Sequence, residues 1–470
     1  MADWTELCYA GVRELHRRFE ERTLSPVELT TAFLERIEST NDELHAYLTV
    51  TAELALEQAR ASEERFADRC SLGLLDGIPL AVKDVYDTKG TRTTAQSAVF
   101  ADRIPERDAA AVERITSQGA VLLGKLALTE FGAGVAMPTD TPPPARNPWD
   151  VELSPAGSSS GPAVAVAAGL CVAALGSDAG GSIRDPASCC GLVGLKPTYG
   201  LVSRRGCITL SWSLDHCGPL ARTVDDCAIL LTAVAGFDPG DSGSADVPPP
   251  RAEAVAPASL DRVRIGVPAE LIAAAGELDP EVRGAFDAAL AALTETGAHV
   301  EAVALPDMEH EPGVFATILT AEALTFHRDK ALAQPELYGR SFYQRLVVGS
   351  LFSADEYLQA LRGRSLICAG MAGTMSSVDL LALPTRPRPA QPFGADTGGW
   401  ARPSLRHPFN VTKQPAVSIP CGFTHGGLPV GLQLVGKWFD ESFLLSVAHA
   451  YEQQHDWWTR RPAETAAGNI

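Results

Sequence analysis

Residues 174–197 read ALGSDAGGSIRDPASCCGLVGLKP. The stretch begins inside an apolar run, Cys171–Gly176, with the length and composition of a buried strand. It turns through Ala179-Gly180-Gly181-Ser182 and resumes at Ile183–Gly191, which opens a helix. A strand that feeds a helix through paired glycines belongs to α/β architecture.

The alternation continues on both sides. Upstream, the residues predict a strand at Ile78–Val82, a helix at Ala109–Gln118 and a strand at Ala120–Gly124. A Gly/Ser-dense stretch, Ser154–Gly161, then precedes a helix at Pro162–Ala168. Downstream, strands are expected at Val263–Pro268, Val300–Leu305, Leu380–Leu383, Ala416–Ile419 and Gly431–Val435, with helices at Pro280–Thr296 and Ser442–His455. Residues 1–66 are patterned as amphipathic helices, and Ser25-Pro26-Val27-Glu28 is a helix start with Ser as cap and Glu three residues on. Residues 239–258, rich in Pro and Ala, read as a surface linker. Strands on both sides of it predict one large mixed sheet flanked by helices on both faces, preceded by a helical N-terminal segment. The expected division is 1–66 as that segment and 67–470 as a single domain, with a more variable substrate-covering region at about 239–400.

Composition narrows the function. Of 470 residues, 39 are basic and 58 acidic, a balance of −19. Such a chain has no electrostatic reason to hold nucleic acid or an anionic membrane surface. The longest uncharged stretch, Ser154–Ser177, is Gly, Ser and Pro in its first half and reads as buried core. The start carries no secretory pattern and the ten cysteines form no CxxC pair, which predicts reduced thiols and a cytoplasmic location. No HExxH and no histidine pair at ligand spacing occurs, so no metal and no cofactor are expected.

Several serine patterns compete. Gly240-Asp241-Ser242-Gly243 lies in the linker without strand context. Gly157-Ser158-Ser159-Ser160-Gly161 fits G-x-S-x-G, but Asn147–Pro155 before it cannot be the strand that a nucleophile elbow needs. None of the seven lysines follows a serine by three residues, which excludes an S-x-x-K pair. Ser182 survives, because backbone N–H groups at a strand-to-helix turn favour developing negative charge. A plain glycine-rich turn with a capping serine reads the same way. The nucleophile needs a base. Lys83 ends an apolar strand, and burial lowers an amine's pKa. The alternative for Lys83 is an ordinary strand-end lysine paired with Asp84 or Asp87.

Taken together, GIPLAVKDVYDTKG (77–90), SPAGSSSG (154–161) and 174–197 closely resemble the amidase signature family. The resemblance continues through SLDHCGPLARTVDD (213–226), PAVSIPCGF and GLPVGLQLVG, and weakens across about 239–375. It implies a Ser–cis-Ser–Lys set: Ser182 as nucleophile, Ser158 as relay after a cis peptide bond, and Lys83 as base. It also implies an oxyanion hole from the N–H groups of Ala179, Gly180, Gly181 and Ser182. Ser159, Asp178 and Arg184 would support the site, and the Gly132 carbonyl would accept from the leaving nitrogen. Three departures stand out: Ala156–Pro162 (AGSSSGP) where Gly-Gly-Ser-Ser-Gly-Gly-Ser is usual, Asp185 after the GGSIR segment, and Gly124-Lys125-Leu126-Ala127 with apolar residues in place of polar ones. The implied activity is hydrolysis of a small, hydrophobic or aryl-substituted amide by a stand-alone enzyme, and a homodimer is compatible with it. Alternatives are glutamine hydrolysis as the glutamine-hydrolysing subunit of a glutamyl-tRNA amidotransferase, a ureide or biuret hydrolase, and a non-catalytic binding protein on the same fold. Substrate contacts are expected from 132–148, 309–350 and 386–406. These stretches and their edges contain Phe315, Phe326, Tyr338, Phe342, Tyr343, Phe352 and Trp400, which read mostly as core; several of them in the pocket would favour a hydrophobic or aromatic amide.

Overall fold

The computed structural model describes residues 4–140, 142–252, 259–395 and 401–463. Eleven strands among them form one sheet: β1 (Tyr47–Val50), β2 (Pro79–Lys83), β3 (Val121–Leu126), β4 (Ala173–Asp178), β5 (Val193–Lys196), β6 (His216–Ala221), β7 (Arg264–Val267), β8 (His299–Ala302), β9 (Leu380–Pro384), β10 (Ala416–Phe423) and β11 (Pro429–Val435). Their order is β1-β3-β2-β4-β6-β5-β10-β11-β9-β7-β8. The sheet is mixed, as expected: β3, β2 and β4 run parallel, as do β8, β7 and β9, and antiparallel pairs join the two groups. The β5–β10 pairing crosses the 239–258 region and ties both halves of the chain into one structure.

Every residue of β2 and β3 is buried, the mark of parallel strands covered on both faces. The helix Ser160–Ala167 is buried on all sides, because its side chains are small and uniformly apolar after Ser160. At the N-terminus the helix Pro26–Leu44 starts where predicted, with Ser25 accepting from the N–H groups of Val27 and Glu28.

Among the strands beyond the expected set is β6: His216 lies on it, and Asp178 pairs with His216 across the β4–β6 ladder. The described part of the 239–258 region lies at the surface, as expected, and is anchored there by Asp241, which holds Arg204 at 2.6 Å in a largely buried pair.

Candidate active site

β2 and β4 are parallel neighbours, so Lys83, Ser177 and Asp178 all emerge at the same edge of the sheet. Carboxyl ends of adjacent parallel strands are where α/β sheets place their ligand crevices. The segment before Ser160–Ala167 and the turn after β4 close over this edge. The peptide bond between Gly157 and Ser158 is cis.

Lys83 is completely buried. Its Nζ lies 2.7 Å from Ser158 Oγ, 2.9 Å from Ser177 Oγ and 3.1 Å from Ser159 Oγ. The Ser159 hydroxyl donates to the Ser177 carbonyl at 3.1 Å and accepts the Ser177 N–H at 3.2 Å. The neighbouring carboxylates are occupied elsewhere: Asp84 lies 3.2 Å from Lys125 Nζ, and Arg103 grips Asp87 at 2.6 and 2.8 Å. Burial pushes the Lys83 amine down to about 7, against the attraction of Asp178 and Asp215. Ser182 lines the main cavity, and its hydroxyl bonds no other described residue. Its carbonyl accepts the Ser159 N–H at 3.0 Å.

The turn that carries Ser182 is held by a buried carboxylate. Asp178 accepts the Gly181 N–H at 2.6 Å and the Ile183 N–H at 3.1 Å. Arg184 meets Asp178 with two bonds of 3.0 Å, and reaches Asn410 at 2.6 Å and Gln433 at 2.7 Å. Burial alone would raise the Asp178 carboxyl, but Arg184, Lys196 and Asn410 outweigh it and hold the group well below the usual carboxylate range. The Gly181 N–H, one of the expected oxyanion donors, donates to Asp178 in this structure. The N–H groups of Ala179, Gly180 and Ser182 have no acceptor among the described residues. Gly132 borders the site; a Cβ there would stand 3.5 Å from Ser158 Oγ.

Two cavities meet at Ser158. The main one, about 1340 Å³, holds Ser182, Gly180 and Phe315 in its walls. The second, about 380 Å³, reaches Ser158 and Ser177 from the side of Arg204 and Trp212. Of the seven aromatics named above, Phe315 and Tyr343 line the main cavity, Phe326, Tyr338, Phe342 and Phe352 do not, and Trp400 lies outside the described residues.

Ser177 was absent from the expected set. Strand alternation carries the signal, since Ser177 and Asp178 point to opposite faces and both faces end at the site. Asn410 and Gln433 carried no local signal, being more than 220 residues from Arg184. No group of His, Cys, Asp and Glu among the described residues has a metal-binding arrangement, and no described helix is long and apolar enough to cross a membrane.

A family model described as Amidase matches residues 28–445. A glutamyl-tRNA(Gln) amidotransferase subunit of Moorella thermoacetica is 40% identical, over 97% of this chain and 99% of that protein. Among solved structures, the peptide amidase of Stenotrophomonas maltophilia superposes with a TM-score of 0.85 at 30% identity, covering 96% of this chain and 98% of that one. The corresponding glutamyl-tRNA(Gln) amidotransferase subunit of Thermotoga maritima superposes with a TM-score of 0.77, also at 30% identity, covering 93% and 95%. The fold, the sequence and the strand-edge site therefore agree: the chain belongs to the amidase signature family and is a hydrolase of amide carbon–nitrogen bonds.

Proposed function

We propose that the chain cleaves the carboxamide bond of a small molecule through a Ser182 acyl-enzyme, with Lys83 as base and Ser158 as relay. The observation that carries this reading is the buried Lys83 amine, faced by three hydroxyls and bonded by no described carboxylate. With its pKa near 7, about half of the amine is neutral at neutral pH. A neutral amine offers two N–H donors and one lone pair. Ser159 has its own proton on the Ser177 carbonyl, so it accepts one N–H, and the Ser177 hydroxyl accepts the other. The lone pair then faces Ser158, at the shortest of the three contacts.

Ser158 passes its proton to Lys83 and takes the Ser182 proton as Ser182 Oγ attacks the carbonyl carbon. The Ser182–Ser158 contact forms once substrate fills the cavity, as catalytic hydrogen bonds commonly tighten on binding. The Ala179, Gly180 and Ser182 N–H groups receive the oxyanion. The relay then runs backward, the leaving nitrogen collects the proton, and water releases the carboxylate by the same route. Asp178 and Arg184 keep the turn in place.

The relatives support a primary amide of the glutamine kind, with ammonia as the second product. The net charge of −19 argues against direct contact with tRNA, but not against membership of an assembly in which other chains hold it. A second reading, a stand-alone amidase, is favoured by the closer superposition on the peptide amidase than on the solved amidotransferase chain. Ammonia release from glutamine, measured with and without the other amidotransferase subunits, separates them. Stimulation by those subunits supports the first. Turnover of anilides, aliphatic amides or ureides by the chain alone supports the second. Amide turnover unchanged in Ser182→Ala refutes both.

A further inference from the structure

Asp185, an unusual residue at its position in the Ser182 segment, is shared by two arginines in the wall of the main cavity. Arg386 Nη1 lies 3.0 Å from its Oδ1 and Arg406 Nη1 lies 3.5 Å from the same atom. One carboxylate cannot neutralise two guanidinium groups. Of the other guanidinium groups nearby, Arg184 already has Asp178, and Arg345 and Arg402, in the same cavity wall, have interactions of their own. The two sharers are not equal. Burial disfavours charge on Arg386, but Asp185 and the neighbouring groups more than restore it. On Arg406 burial prevails, and repulsion from Arg386 and Arg184 adds to it, so its pKa is depressed. Beyond Asp185, the Arg406 guanidinium donates to the Thr385 carbonyl at 2.8 Å, and its Nε has no acceptor among the described residues. The neighbouring His407 is no competing charge: burial, Arg406 and Arg184 keep its imidazole neutral, stacked 4.0 Å from Phe315.

Arg406 is also close to the chemistry. Its stem packs on Gly181, where an added Cβ would come within 2.6 Å of it, and Gly181 precedes Ser182. We propose that Arg406 is a specificity-determining residue that binds a carboxylate on the acyl side of the substrate. The acyl side follows from the relay. The leaving nitrogen must sit beside Ser158, where the two cavities meet, while Arg406 and Asp185 border the main cavity alone. The substrate class is then the monoamide of a short dicarboxylic acid, which includes glutamine-like amides. This inference rests on Ser182 being the nucleophile of that cavity.

The test compares two amides of matched length, glutaramate, which bears a carboxylate, and pentanamide, which does not. One charge-assisted hydrogen bond corresponds to about tenfold to hundredfold. The wild-type enzyme is expected to favour glutaramate in kcat/KM by that factor. Arg406→Leu should abolish the preference, mainly through KM, and Arg406→Lys should keep part of it. Equal use of both amides by the wild type, or an equal proportional loss on both in Arg406→Leu, overturns the inference and leaves the amidase reading standing. No hydrolysis of either amide, together with no fluorophosphonate adduct on Ser182, overturns both.

Discussion

Removing the Lys83 amine tests the proton relay without knowledge of the physiological substrate. A free lysine with pKa near 10.4 is neutral in about one molecule in 2,500 at pH 7. Burial that brings Lys83 to about 7 raises the neutral fraction to about one half, a gain of about a thousandfold. The rate at which a fluorophosphonate labels Ser182 should therefore climb about tenfold per pH unit below 7 and level off above about pH 8. In Lys83→Met, which has no base, the plateau should fall by about a hundredfold to ten-thousandfold, the usual contribution of a general base. The same shift has a stability consequence. The unfolded chain holds the lysine proton up to about pH 10.4, whereas the folded chain releases it near 7, so the unfolded state binds more protons in between. Wild-type stability should then rise with pH across that window, relative to Lys83→Met, by about 1.4 kcal/mol per unit at most. Urea titrations at three pH values between 7.5 and 9.5 measure the difference, in which other titrating groups cancel. A labelling rate that still climbs tenfold per unit beyond pH 9, or labelling of Lys83→Met at the wild-type rate, would refute the reasoning. So would parallel stability curves.

Further expectations concern the groups around the relay. Ser177→Ala removes one acceptor of the Lys83 N–H groups and should lower kcat/KM about threefold to tenfold at neutral pH, with the thermal melt little changed. Asp178→Asn leaves the Arg184 guanidinium buried without its counter-charge and should destabilise the fold by about 3–5 kcal/mol, read by urea unfolding. In the wild type this carboxylate's contribution is complete above its unfolded pKa near 3.9 and is lost only as pH falls through the lower folded value. Gly161→Ala would place a Cβ 2.4 Å from the Ala127 nitrogen and 2.7 Å from the Ala46 oxygen, both backbone atoms that cannot turn aside. Its melting temperature should fall clearly, overpacking of this kind amounting to about 1–3 kcal/mol or more.

The legible part of this protein is local in sequence. Residues 174–197 show strand, glycine turn and helix in one window, and 77–83 show an apolar strand that ends in a lysine. The hydroxyl partner of that lysine, Ser158, was legible only through the family resemblance, and the local residues alone pointed to carboxylates instead. Asp84 and Asp87 are its nearest carboxylates in sequence, yet β3 brings Lys125 to Asp84, and Arg103 takes Asp87. Charge pairing is settled across strands, which sequence neighbours do not reveal. β6 was hidden for a different reason. Its HCGPLA carries a Gly and a Pro, which argue against a strand. The ladder tolerates them because β5 pairs with β6 only at Leu220 and Ala221, leaving Pro219 with a partner on one side alone. Asp185 was visible as a departure, but its meaning needed Arg386 and Arg406, about 200 residues away. The acidic balance has a narrow meaning. Net charge bears on direct contact with phosphates, and it does not distinguish a solitary enzyme from one member of an RNA-linked assembly.

The central claim is that amide cleavage proceeds through an ester on Ser182. Mass spectrometry of the enzyme, acid-quenched during turnover of an amide and then digested, tests it most directly. The account predicts the acyl group on the peptide that contains Ser182, and none in Ser182→Ala. An acyl group on another residue, or turnover that persists with Ser182 replaced, would contradict it.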